Sequence, residues 1–258
     1  MTRELEAAIE AAEAAGEVLR DGFGRQLNVE YKGETELVTE ADEKAEQKIR
    51  EILEETFPAY GILAEESCEL EGEADARWIV DPLDGTTNYI HGVPFFSVSI
   101  ALERNGEVVL GVVHEPMANE TYAAERGEGA TLNGKPIGVS DTDEPARALV
   151  GTSYPDDPDE LAMSLDLFRR FTNLVRGMRR LGSGALDLCY VAAGRLDGCY
   201  EQGFSAWDIA AGALILEEAG GEATSYQGSE LDFKDKGLVA SNGLLHLSLV
   251  DVSSGDGA

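Results

Sequence analysis

Lysine, cysteine and histidine are scarce in this chain, and long apolar runs are missing. Only 6 lysines stand among 20 basic residues, against 50 acidic ones, giving a formal net charge of −30. With no basic stripe to neutralise a phosphate backbone, nucleic acid is not an expected partner. The three cysteines, Cys68, Cys189 and Cys199, form an odd set without C-x-x-C spacing. They read as buried or incidental thiols rather than as a disulfide or zinc framework. His91, His114 and His246 are scattered, with no H-x-x-x-H or triad pattern, so nucleophilic Ser–His chemistry has no support. No G-x-x-x-x-G-K-[ST] loop is present, which argues against a nucleotide-dependent phosphotransferase. The longest apolar stretches fall short of a membrane span. The first residues, Met-Thr-Arg and an acidic, Ala-rich segment, lack a secretory apolar core, so a cytoplasmic protein with no membrane partner is expected.

What is present is a normal core under an abnormal surface. Hydrophobic residues make up 43% of 258, enough for one large domain or two small ones. Acids punctuate amphipathic segments along the whole chain, whereas disorder would require few apolar residues. Such a surface suits very high salt, where charge repulsion is screened within a few ångströms. A halophilic, archaeal source is the expectation that follows.

Along the chain, Leu5, Ala8, Ile9, Ala12, Val18 and Leu19 mark one face of a helix over residues 4–20. Thr39-Glu-Ala-Asp42 opens a second helix that stops before Pro58. Ile62 to Glu66 reads as a short strand ending in acids, and an acidic loop leads to a strand at 77–83. Phe95 to Val113 alternates around Asn105-Gly106, a hairpin signal, and Asn133-Gly134 marks another tight turn. A polar stretch, 140–147, divides an N-terminal half (1–140) from a C-terminal half (147–252). The second half reads as strand 148–152, helix 158–176, a Gly-rich turn at Leu181–Gly184 opening a helix, strand 196–201, and a helix after Trp207 to Glu218. Gly220-Gly221 is a plausible helix stop, Leu238-Val-Ala a last strand, and residues 253–258 a flexible tail.

The chemistry is concentrated in Asp81-Pro-Leu-Asp84-Gly-Thr-Thr-Asn-Tyr. Spacing alone means little, because the chain has 18 Asp and three D-x-x-D pairs, 81/84, 156/159 and 232/235. Asp156/Asp159 sits in a solvated Pro-Asp-Asp-Pro-Asp turn, and Asp232/Asp235 in a charged loop beside Lys234 and Lys236. Only Asp81/Asp84 follows an apolar strand, Trp78-Ile-Val, and precedes a Gly-Thr-Thr helix start. Carboxylates beside an anion-binding helix start suit divalent cations held against a phosphate. That pattern points to a metal-dependent phosphomonoesterase.

Taken together with Trp207-Asp-Ile-Ala-Ala-Gly, Ala64-Glu-Glu-Ser, Leu37-Val-Thr-Glu-Ala-Asp42 and Gly182-Ser-Gly-Ala ahead of Tyr200-Glu201, the chain resembles the inositol monophosphatase family over essentially its whole length. The resemblance implies a layered α-β-α-β-α sandwich (an α+β architecture), two Mg2+ ions with a possible third near Glu65, inhibition by Li+, and a homodimer. It implies that Glu65, Asp81, Asp84 and Asp208, with the Leu83 carbonyl, bind metal. Glu65 and Asp81 would serve the ion on the side of the attacking water, and Asp81, Asp84 and Asp208 the ion facing the leaving oxygen. Asp42 and Thr86 would be the catalytic pair that orients the water and takes its proton. Substrate would meet Asp84, the N–H groups of Gly85 and Thr86, Ser183, Gly184 and Glu201.

Blander readings compete for several of these residues. Asp208 could cap the helix after Trp207, Thr39-x-x-Asp42 resembles a capping box, and Glu201 could be a solvent-facing strand-end acid. Lys32 lies one position off the register of the basic residue often found before the Leu-Val-Thr segment, and receives no role. Arg176, Arg179 and Arg180 either touch a second phosphate or balance surface acids. The expected reaction is hydrolysis of a small sugar or polyol phosphate, inositol monophosphate or fructose 1,6-bisphosphate. Histidinol phosphate and adenosine 3′,5′-bisphosphate are alternatives on the same scaffold. A non-catalytic regulatory binding protein is the alternative from another class.

Overall fold

A computed structural model describes residues 1–25, 29–31, 37–67, 70–72, 74–154, 158–233 and 237–255, with the side chains of 29–31, 37–39 and 158–160 left aside. Cys68, Lys32, Asp156, Lys234, Asp235 and Lys236 lie outside the described residues, as do residues 256–258, and Asp159 is described by its backbone alone. Helix α1 (Arg3–Gly22) is capped by Thr2, whose hydroxyl accepts the Leu5 N–H at 3.2 Å. Its buried stripe is mostly alanine, Ala8, Ala11, Ala12 and Ala15, which lets α2 (Glu40–Thr56) lie close beside it. Between them β1 (Val29–Tyr31) and β2 (Leu37–Thr39) pair antiparallel.

Two larger sheets follow in chain order. The first has seven strands: β3 (Gly61–Ala64), β4 (Ala76–Asp84), β5 (Ser97–Arg104), β6 (Glu107–Glu115), β7 (Glu120–Glu125), β8 (Gly129–Leu132) and β9 (Lys135–Pro136). They lie side by side in that order, all antiparallel except β3 with β4. The short helix α3 (Thr86–Ile90) interrupts them after β4. The second sheet has five strands in the order β11-β10-β12-β14-β13, built from β10 (Leu149–Thr152), β11 (Gly177–Arg179), β12 (Gly198–Gln202), β13 (Glu222–Ser225) and β14 (Gly237–Ser241). Its helices are α4 (Pro158–Leu174), α5 (Gly184–Ala192), α6 (Ala206–Glu218) and α7 (His246–Ser254).

Helices α1 and α2 cover one face of the seven-stranded sheet, α5 and α6 fill the space between the sheets, and α4 and α7 contact the five-stranded sheet. The expected α-β-α-β-α layering is the architecture observed. It explains why β5 reads Val98-Ser-Ile-Ala-Leu102 with every residue buried: both faces of the strand are covered. The Asn105-Gly106 turn takes positive φ at both residues, 53° and 82°, as a two-residue hairpin requires.

Several elements differ from the sequence expectation. Helix α4 ends at Leu174 rather than Arg176, because Met178 and Arg179 are drawn into β11 beside β10. Strands β7, β8, β9, β11 and β13 and helix α7 are additional. Residues 253 and 254, expected in a tail, close α7, where Ser253 Oγ donates to the Tyr226 carbonyl at 2.9 Å. Among the described residues no helix is long and apolar enough to cross a membrane.

Candidate active site

The site is built where β4 ends. Across the β4–β5 ladder Asp81 faces Ser99 and Asp84 faces Ser97, and the register shifts between the two pairs. Pro82 has no N–H to give the ladder, so the strand bulges and re-aims the residues that follow. The Leu83 N–H turns inward to Asp81 Oδ1 at 2.9 Å. Gly85 then takes φ 97°, where a side chain would be strained, and a Cβ there would also stand 3.0 Å from the Gly182 carbonyl. Asn88 Nδ2 donates to the carbonyls of Phe95 and Leu181 at 2.8 Å each, pinning α3 to the loop before α5.

Asp84 is the best-partnered acid of the crevice. Its Oδ2 accepts from the Ser183 hydroxyl, from the Ala185 N–H at 3.0 Å and from Ser97 Oγ at 3.2 Å. Its Oδ1 accepts from the Gly184 N–H at 3.3 Å. The carboxylate thus occupies the N-terminus of α5, where donors and the helix dipole favour negative charge. Burial still raises its pKa above the ordinary carboxylate value, with these donors opposing. Ser183 and Gly184, expected to meet substrate, both engage Asp84 here.

Asp81 is buried, and its pKa is raised well above the carboxylate range by burial first, then by Glu65, Asp84 and Asp208. The four acids named from the sequence therefore share one field. Asp208 is raised to about 7, by burial first and then by Asp84, while the Ser205 N–H holds it at 2.5 Å. The helix-capping reading of Asp208 and its place in the crevice are thus both realised, three residues after the cap Ser205. Ser99 Oγ donates to the Trp207 carbonyl at 3.0 Å, which fixes the start of α6 on β5 beside Asp81. Glu65 lies just past β3 at the accessible rim.

Thr86 Oγ1 stands 3.3 Å from Asp42 Oδ1 and 3.0 Å from the Leu83 carbonyl, so the expected catalytic pair meets across 44 residues of chain. Asp42 is buried in the first turn of α2. Glu201 is also buried, not solvent-facing, and is raised to about 7 by burial, with Asp84 and Asp208 adding and hydrogen bonds from Ser153 and Asp187 opposing. Asp187 beneath it is raised well above the usual range by burial and by Glu201. Arg176, Arg179 and Arg180 are exposed, with Arg180 stacked over the Tyr154 ring at 5.1 Å.

Sequence reasoning passed over Ser97, Ser99, Asp187 and Glu46. The two serines alternate on β5 and looked like ordinary strand residues. Glu46 carried one usable signal, its place one helical turn after Asp42. Cys189 and Cys199 are buried thiols without a disulfide.

The donor set tests the fit of a hard divalent cation. It is all oxygen, several acids are buried together, and among the described residues no Lys or Arg forms a salt bridge to Asp81, Asp84 or Asp208. Crowded like charges of this kind favour a counter-cation over full ionisation alone. Among the described residues no three His, Cys, Asp or Glu groups converge as a ready ligand cluster, since Asp84 and Asp208 are turned onto α5 and Ser205.

Comparison with known proteins bears on the whole chain. The model of the Inositol monophosphatase family matches residues 1–254. A Mesorhizobium japonicum protein named inositol-1-monophosphatase is 45% identical over 247 residues, covering 94% of this chain and 92% of that protein. A Pseudomonas aeruginosa protein named Nus factor SuhB is 43% identical, covering 92% and 91%. The crystal structure of the extragenic suppressor protein suhB from Bartonella henselae superposes with a TM-score of 0.95 at 41% identity, covering 98% of each chain.

Proposed function

The chain belongs to the inositol monophosphatase family and is a phosphoric monoester hydrolase, and on that premise we propose Mg2+-dependent hydrolysis of a small sugar or polyol phosphate. The observation that carries the metal reading is the shared field of Glu65, Asp81, Asp84 and Asp208, in which the burial of Asp81 and Asp84 and the like charges around them make joint ionisation costly. These four carboxylates and the Leu83 carbonyl would hold two ions, with a third possible at Glu65. When bound, such ions neutralise the acids and draw charge from the phosphate oxygens at both ends of an in-line displacement.

The chain's own groups supply positioning and proton transfer. Thr86 Oγ1 donates to Asp42 and offers its lone pairs to a water, so Asp42 Oδ1 is the final proton acceptor. That water attacks phosphorus, the ester P–O bond breaks, and the leaving oxygen takes a proton from solvent to depart as the alcohol while inorganic phosphate forms. No phosphoenzyme is involved. The phosphate lies against the N–H groups of Gly85 and Thr86, and Asp84, Ser183, Gly184 and Glu201 line the leaving group. Glu201 meets a substrate hydroxyl, and its protonation near neutrality decides whether it accepts or donates there. A cytoplasmic homodimer in a salt-rich cell, inhibited by Li+, completes the reading.

Phosphate release in molar KCl with Mg2+, compared among inositol 1-phosphate, fructose 1,6-bisphosphate, histidinol phosphate and adenosine 3′,5′-bisphosphate, tests it. A polyol or sugar ester is expected to lead. Preference for fructose 1,6-bisphosphate would bring Arg176, Arg179 and Arg180 into play, and preference for either of the last two would replace the substrate class. A second reading, a regulatory binding protein, is favoured by the relative named Nus factor SuhB. No turnover on any of the four with Mg2+ bound would support that reading instead.

A further inference from the structure

Helix α2 reaches the crevice along a single stripe. Asp42, Glu46 and Arg50 are spaced four apart and share one face. Asp42 meets Thr86. One turn on, the buried Glu46 accepts the Glu66 N–H on Oε2 at 3.1 Å. One turn further, Arg50 Nη1 donates to Ser67 Oγ at 2.7 Å and stands 3.8 Å from Glu46 Oε1, while Nη2 lies 2.9 Å from Glu54. The ladder between β3 and β4 ends at Ala64, and the Glu65 N–H makes one more bond to the Val80 carbonyl at 3.2 Å. Glu65 is therefore held on the sheet side by its own N–H and on the helix side through the next one. The two bonds hold the peptides on either side of the Glu65 Cα.

We infer that Glu46, braced by Arg50, is a positioning residue that sets the Glu65–Ser67 backbone and so aims the Glu65 carboxylate into the crevice. The inference rests on Glu65 being a cation ligand, as proposed above. A leucine at position 46 would fill much the same space without desolvating a charge. What it would lack is an acceptor for the Glu66 N–H. Groups that orient a ligand in this way govern metal affinity more than substrate affinity.

The test uses the full chain in molar KCl, with Mn2+ as the probe and its free ion followed by electron paramagnetic resonance. Glu46→Leu should weaken Mn2+ binding about 10- to 100-fold while substrate KM at saturating Mg2+ stays within about twofold. Glu46→Gln keeps a carbonyl acceptor and should stay within about threefold of the parent for Mn2+. Parent-like binding in Glu46→Leu, or equal weakening in both variants, overturns the inference. If Glu46→Leu does not fold, Arg50→Met replaces it. That change cuts the Ser67 bond and should weaken Mn2+ about threefold, and no change overturns the brace. Hydrogen exchange at the Glu66 amide separates the two readings. Faster exchange in Glu46→Leu is expected, and unaltered exchange overturns the clamp itself. A parent chain that takes up no Mn2+ overturns instead the crevice reading on which the inference stands.

Discussion

Asp84 ends β4 with four donors on its two oxygens, two hydroxyls and two N–H groups from the start of α5 and from β5. It therefore joins the two halves of the chain as well as facing Asp81 and Asp208. An Asp84→Asn amide keeps one oxygen for the Ala185 N–H but turns an NH2 group toward another donor, and it removes a negative charge from the crevice. The variant should fold, lose divalent-cation affinity and fall about 100-fold or more in turnover. Near-normal phosphate release from a folded variant would remove Asp84 from the site. The sequence pointed to Asp84 through its neighbours, an apolar strand before it and Gly-Thr-Thr after it. It was silent on the Ser97 and Ser183 hydroxyls that hold Asp84, because a strand serine and a loop serine carry no spacing signal. The competing reading of Glu201 as a solvent-facing acid fails for a related reason: a strand-end acid looks exposed until the layer above it is known, and Glu201 is buried.

At the scale of elements, α1 lies on β6 so closely that a Cβ at Gly16 would come 2.4 Å from the His114 ring. His114 is buried there, with Nδ1 2.9 Å from Thr121 Oγ1, which in turn donates to Glu13 at 3.2 Å. Burial, with Arg20 adding, lowers its pKa to about 4. An unfolded histidine titrates near ~6.5, so between that pH and the folded value the unfolded chain binds a proton that the native chain refuses. The stabilisation is complete above the unfolded pKa and is lost as pH falls through this window, about 3 kcal/mol in all. Glu201 and Asp208, raised to about 7, act in the opposite sense, stabilising at low pH and losing that contribution as pH rises through about 7. The clean measurement is therefore a difference. The stability of the parent minus that of His114→Gln, from urea unfolding, should fall steadily from pH 7 to pH 4. A flat difference would mean that α1 does not bury this ring as described.

Elements with a strong local pattern were legible: the amphipathic stripes of α1 and α2, the Asn105-Gly106 hairpin, and the Gly-Ser-Gly opening of α5. Strands β7 and β8 were not, since Thr121-Tyr-Ala-Ala is short and owes its burial to neighbouring strands. Helix α7 was missed because its Ser-rich segment has no clear apolar stripe, and its place comes from packing on α4 and β14.

For the whole molecule, charge is the dominant fact. Many basic groups among the described residues are already committed to nearby acids, as in Lys44–Glu40, Arg77–Glu103, Arg126–Glu107 and Arg195–Glu120, and the acids outnumber the bases by 50 to 20. Exposed pairs of this kind contribute little each, and the remaining acids repel over roughly 10 Å at ~0.1 M salt but only about 3 Å at ~1 M. The layered core is ordinary in composition and gives no reason for instability of its own. The order of the layers was beyond periodicity alone, since strands and helices alternate without showing which sheet each joins, and the family resemblance supplied it. If the charge is an adaptation to salt, repulsion rather than weak packing should limit stability in dilute buffer. The melting temperature should then rise by about 10 °C or more between low-salt buffer and molar KCl, corresponding to a few kcal/mol for a chain of this size. Activity should follow the same curve, with Mg2+ held constant so that crevice and surface effects stay separate. A melting temperature that hardly moves over that range would show that the acids are tolerated without screening, and the halophilic reading would fall while the hydrolase reading stood.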